Sequence, residues 1–152
     1  MKLAEALLLR SEYQQKSENL RNRILQNLKT QEGEPPHEDP NLLLLEFEEI
    51  SSQLTRLIKQ IHRTNALALL PDGRTLGDAL IDRDDLLKSR QLLSTIVENA
   101  NEADYRLTRT EIKMTVTVSI ADFQKKIDQL SKAFRQLDTQ IQGINWTVEL
   151  AE

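Results

Sequence analysis

Apolar residues recur at alternating steps of three and four along the last third of this chain: Ile120, Phe123, Ile127, Leu130, Phe134, Leu137, Ile141 and Ile144. On an α-helix that spacing draws one narrow apolar stripe, which other helices must cover. Leu43, Phe47, Ile50, Leu54, Leu57 and Ile61 repeat the pattern, so at least two long helices present matching seams. The seams predict a mainly α protein, an elongated antiparallel four-helix bundle with one short β segment between helices three and four. They say nothing of an activity.

Composition narrows the function classes. At 152 residues the chain has the size of one domain, 1–152, and can bury a real core. Charged residues make up 29% and aromatics 4%, the balance of a helical bundle. The net charge is −4, with Lys and Arg scattered among Asp and Glu, so no basic stripe offers itself to phosphates and nucleic acid is not expected as a partner. Cysteine is absent, which removes disulfide and thiolate chemistry and fits a reducing cytoplasm. Glu5 and Arg10 interrupt the leucine-rich start before a signal-peptide core can form, so it reads as an amphipathic helix. No stretch approaches the roughly 20 apolar residues of a membrane span, so no membrane partner is expected.

Turn and cap signals divide the chain. Helix one should run from Leu3 to Lys29, stopping before Gly33-Glu34-Pro35-Pro36. Asp39 before Pro40 is an N-cap with proline in the first helical position, and helix two should continue to Ala68. Pro71-Asp72-Gly73 makes a turn, and Thr75 with Asp78 starts helix three, which should reach Ala103. Ser119 with Asp122 repeats that signature for helix four.

The segment 111–118 breaks the helical period. Ile112, Met114, Val116 and Val118 alternate with Lys113, Thr115 and Thr117, which predicts a strand. A strand needs a ladder partner. Leu67 to Leu70, Trp146 to Leu150, or the same strand in another subunit could supply it, and the last choice would make this an assembly element.

Helices one and three carry arginines in their seams. Leu3, Leu7, Arg10, Gln14, Ser17, Arg21, Ile24 and Leu28 line up on helix one, and Leu76, Ala79, Arg83, Leu86, Arg90, Leu93 and Val97 on helix three. If those faces turn inward, Arg10, Gln14, Arg83, Asp84 and Arg90 form a polar layer. Carboxylates such as Glu12, Asp84 or Asp138, or a bound anion, must then meet the guanidinium groups. If the helices rotate slightly, the arginines reach solvent along their aliphatic stems.

Two carboxylate pairs could hold a cation. Glu46 with Glu49 and Asp82 with Asp85 each lie three residues apart on one helix face, a spacing compatible with magnesium. The layout is similar to that of the all-α nucleoside triphosphate pyrophosphohydrolases. The same acids also suit the first turns of helices, where the macrodipole favours them without any metal. His37 and His62 are too few and too separated for a zinc site, and no Gly-rich loop or nucleophile elbow is present. Trp146 should form an apolar cap on the bundle end.

Several strings together resemble a known family: Lys2-Leu3-Ala4-Glu5-Ala6-Leu7, Gln31-Glu32-Gly33-Glu34-Pro35 leading to Glu38-Asp39-Pro40, Arg63-Thr64-Asn65, Asp72-Gly73-Arg74-Thr75-Leu76, Glu111-Ile112-Lys113, and Leu137-Asp138 leading to Asn145-Trp146. The resemblance is to small uncharacterised bacterial proteins, some carrying the label septicolysin, and covers nearly the whole chain. It implies no catalytic residues, and Asn is usual in that family where this chain has His62. The label implies a secreted cytolysin, against which the missing signal peptide and the self-covering apolar stripes argue. The expectation is a cytoplasmic, self-associating protein acting through protein contacts, with a homo-oligomer and an unidentified protein partner, no catalytic residues and no cofactor. The alternative is a magnesium-dependent nucleotide hydrolase built on Glu46, Glu49, Asp82 and Asp85.

Overall fold

The computed structural model describes residues 1–102 and 114–152. Among them the chain forms α1 (Leu3–Gln26), α2 (Pro40–Leu67), α3 (Leu76–Asn101) and α4 (Ile120–Thr147), with two isolated bridges and no sheet. The mainly α class is thus as expected. Backbone contacts divide the chain into two compact units, Met1–Gly77 with Gln142–Glu152, and Asp78–Ile141.

In the first unit α1 packs against α2. The α2 seam faces inward, with Leu43, Leu57 and Ile61 buried and Phe47, Ile50 and Leu54 half-buried. Asp39 caps the helix, its carboxylate accepting the Asn41 N–H at 2.9 Å, and Pro40 takes the first turn. The seam of α1 is rotated from the expected one. Leu3, Ala6, Leu20 and Asn27 are buried and Arg10, Tyr13, Ser17 and Ile24 half-buried, while Gln14 and Arg21 are exposed. Ala4 and Ala6 are buried in the first turn, where small side chains permit close packing.

Asn27, well before the glycine and prolines, ends α1. Its N–H bonds the Ile24 carbonyl at 3.1 Å, its Nδ2 donates to the Arg23 carbonyl at 2.8 Å, and its Oδ1 accepts the Glu38 N–H at 3.1 Å. Arg23 adds a two-pronged ion pair to the Glu38 carboxylate. The end of α1 is thereby latched to the residues that lead into α2.

The expected turn at Asp72-Gly73 closes a small hairpin. Gly73 has a φ of +88°, a conformation that favours glycine, and its N–H reaches the Leu70 carbonyl at 2.9 Å. Leu70 N–H bonds Arg74 O and Leu76 N–H bonds Ala68 O, each at 2.8 Å. At the other end of the chain, Leu3 N–H bonds Val148 O at 3.0 Å and Leu150 N–H bonds Met1 O at 2.8 Å. Thr64 joins this arrangement: its buried hydroxyl donates to Gln60 O at 2.8 Å and accepts the Ala151 N–H at 2.9 Å.

These bonds bear on the expected strand. Residues 114–118 form no ladder, and Met114 and Val116 are more than half exposed. Both expected mates within the chain are committed elsewhere, Leu69 to Thr75 and Glu149 to Lys2. Alternation supplies a face, but a strand also requires a row of free backbone groups beside it. Ile112 and the rest of 111–113 lie outside the described residues. Trp146 is also not a buried cap, since it sits at the end of α4 with 59% of its surface exposed.

In the second unit the α3 seam turns as expected, with Ala79 buried and Arg83, Leu86, Arg90, Leu93 and Val97 half-buried. Ser119 Oγ accepts the Asp122 N–H at 3.3 Å and starts α4. The α4 seam is half-buried from Ile120 to Phe134 and fully buried at Leu137 and Ile141. Arg83 meets Asp138 and Arg90 meets Phe134, so the two helices run antiparallel in this unit.

Candidate functional site

The arginines of α3 find ordinary partners. Arg83 Nη1 donates to Asp138 Oδ1 at 2.7 Å, with the two side chains 25% and 34% exposed. Arg90 lies over the Phe134 ring at 5.3 Å from its centre, a cation–π contact. Asp84 and Gln14 are exposed. Arg10 is half-buried on α1, and its Nε, itself buried, has no hydrogen-bond partner among the described residues.

Glu46, Glu49, Asp82 and Asp85 are all exposed. Glu49 accepts from Gln53 Nε2 one turn on, at 2.6 Å. Glu46 makes only a minor electrostatic contribution to two cations of α1. Lys16 has its pKa raised chiefly by its hydrogen bond to Glu12, and Arg23 chiefly by Glu38, with Glu46 adding to both. Among the described residues, no three His, Cys, Asp or Glu side chains converge in a way that could hold a metal ion. His37 and His62 are exposed.

A polar surface feature lies on α2, opposite its seam. At 100° per residue, Leu45, Glu48, Ser52, Thr55, Arg56, Lys59 and Arg63 fall on the side of the helix away from Leu43, Ile50, Leu57 and Ile61. All seven are exposed. A groove of about 510 Å³ runs along one flank of this side, lined by Glu48, Ser52, Thr55, Arg56 and Lys59 and, towards the seam, by Phe47 and Ser51. A second hollow of about 570 Å³ continues it past Arg56 and Lys59 to Arg63, whose guanidinium donates to the Glu152 carbonyl at 2.8 Å.

The charge along this face is polarised. Glu48 lies towards the start, Ser51, Ser52 and Thr55 form a low middle, and Arg56, Lys59 and Arg63 follow. Ion pairs within a helix need opposite charges three or four residues apart. Glu48 has Leu44, Leu45, Ser51 and Ser52 at those positions, and Arg56 has Ser52, Gln53, Lys59 and Gln60. The helix therefore gives neither charge an internal partner, and it sets Arg56 against Lys59 and Lys59 against Arg63. This short basic cluster is the feature that scattered charges in the sequence conceal. The signal that could have exposed it is an acid and a base eight residues apart with Ser52 and Thr55 on the helix face between them.

Comparison with known proteins places the chain. Residues 10–150 match the family of unknown function DUF6847. The chain belongs to this family. A crystal structure of a functionally unknown conserved protein from Corynebacterium diphtheriae is similar to it at 41% sequence identity and a TM-score of 0.92, over 99% of this chain and 98% of that one. No curated protein matches. The expected kinship with uncharacterised bacterial proteins agrees with this, and neither description carries the septicolysin label. No helix among the described residues of this DUF6847 protein is long and apolar enough to cross a membrane.

Proposed function

We propose that this DUF6847 protein self-associates and works through protein contacts in the cytoplasm, without catalysis of its own. The observation that carries the reading is the apolar surface at the start of α2. Leu42, Leu44 and Leu45 are 64%, 45% and 62% exposed, on the flanks and back of a helix whose seam is already engaged. Leu25, in the last turn of α1, and Leu28, just beyond it, are also more than half exposed. Single exposed leucines are ordinary, but a group of this kind beside a groove marks a protein contact. The half-covered seams of α3 and α4 point the same way, since an apolar stripe gains most when a further surface closes over it.

Absolute mass in solution, by light scattering behind size exclusion, tests the reading. A mass of twice the chain or more, falling on dilution, is the expected result. A mass of one chain at every concentration up to the millimolar range overturns it.

A further inference from the structure

We infer that the outer face of α2 is a self-complementary docking surface for the same face of a second copy, the two helices crossing antiparallel about Ser52. The inference rests on the self-association proposed above and names its surface.

The argument begins from the charges. Glu48 and Arg56 lie four residues either side of Ser52, each about 6 Å from it along the axis. Two antiparallel copies of α2 related by a twofold axis at Ser52 bring Glu48 opposite Arg56 of the partner subunit, and the symmetry repeats the pair. The same register sets Leu45 opposite Lys59 of the partner subunit, whose methylene stem can cover the leucine while its ammonium stays in water. A parallel arrangement would instead stack Glu48 on Glu48 and Arg56 on Arg56, so the charge pattern selects the antiparallel one.

Shape agrees with charge. Ser52 and Thr55 leave the middle of the face low, and the groove of about 510 Å³ runs beside them. Small residues at a crossing point let two helices approach to about 8 Å between axes, the short end of the usual range. The charged side chains then flank the crossing and are not trapped within it. One helix face is a small interface, so the dimer should be weak and dependent on concentration and salt.

The occupant is a second copy because α2 itself carries the complement of its own pattern. Glu48 has no basic residue within one turn and Arg56 no acidic one, so within α2 each charge lacks what the second copy's α2 offers, while Glu152 borders the hollow beside Arg56 on its Arg63 side.

Charge reversal tests this on the full chain by light scattering and sedimentation, with helicity checked by circular dichroism. Glu48→Arg alone and Arg56→Glu alone should each raise the dimer dissociation constant by about tenfold or more, because both symmetric pairs become repulsive. The double variant Glu48→Arg with Arg56→Glu should return it to near the wild-type value, since the exchanged charges meet again. A wild-type oligomer indifferent to both single variants would overturn this face and leave self-association standing. A wild-type monomer would overturn both. Sensitivity to Arg56→Glu without sensitivity to Glu48→Arg would show that the basic end meets a different acidic surface of the second copy, and would also overturn it.

Discussion

Thr64 holds Ala151 in place with one buried hydroxyl. The side chain is 2% exposed, and its oxygen accepts the Ala151 N–H at 2.9 Å while donating back to the Gln60 carbonyl at 2.8 Å. A residue inside α2 thereby fixes the backbone of a segment 87 positions later in the chain. Thr64→Val keeps the shape and removes the oxygen, leaving that amide without its partner. A loss of about 1–3 kcal/mol in urea unfolding is expected, with faster hydrogen exchange at Ala151. Thr64→Ser keeps the hydroxyl and should protect the amide as the wild type does.

Asn27 makes three connections at the end of α1. Asn27→Ala removes the bonds to Arg23 O and Glu38 N–H and should cost about 1–2 kcal/mol. The loss should concentrate in the loop, so amides from Gln31 to Asp39 should exchange faster than those of the α2 middle. Equal acceleration in both would show that Asn27 does not act as a local latch.

Arg83 and Asp138 are only partly shielded from water, so their pairing should contribute modestly. A double-mutant cycle of Arg83→Met and Asp138→Asn should give a coupling of about 1 kcal/mol. A cycle that closes at zero would leave Arg83 as a side chain whose stem, not charge, matters to the α3–α4 contact.

Among the described residues, three carboxylates are held below their ordinary range by neighbouring cations: Glu38 by its hydrogen bond with Arg23, Asp72 by its hydrogen bonds with Arg74, and Glu149 by Lys2 and the N-terminal amine. The unfolded chain therefore takes up protons before the folded one does, and stability falls as pH falls. Their contribution should be complete above the ordinary glutamate value of 4.5 and be lost as pH drops through the lower folded values. Because the groups face solvent, added salt should shrink the effect. Urea midpoints measured from pH 6 down to pH 3 should fall less steeply for Glu38→Gln than for the wild type, and identical slopes would exclude Glu38 as a contributor.

Much of the helical layer was legible because it is local. Asp39-Pro40 and Ser119 with Asp122 mark helix starts through bonds to neighbours two or three residues away, and Asp72-Gly73 marks a turn through one backbone conformation. The α2, α3 and α4 seams are periodic over many turns, so single polar exceptions do not hide them. On α1 the apolar residues are sparse, and a register read through Leu3 and Leu7 puts Gln14 and Arg21 inward. The observed face instead runs through Ala6, Tyr13 and Leu20.

The partners in space were less legible. The alternation from Ile112 to Val118 predicts a strand because strand propensity is a property of side chains, whereas a strand exists only with a ladder beside it, and Met114 to Val118 have none. Lys2 and Thr75 occupy the mates that segment could have used. Asp138 was one of several carboxylates that could have met Arg83, and only its place on the antiparallel α4 selected it. The outer face of α2 leaves no local mark in the sequence, because neither Glu48 nor Arg56 has an opposite charge three or four residues away.

The sequence by itself determined where the helices form and which stripes they bury, since both follow from spacing and capping within a few turns. Tertiary structure alone decided the rotation of α1, the bond from Ala151 to Thr64, and the fate of residues 114–118. Each depends on which distant backbone groups arrive side by side, and one-dimensional periodicity carries no record of that.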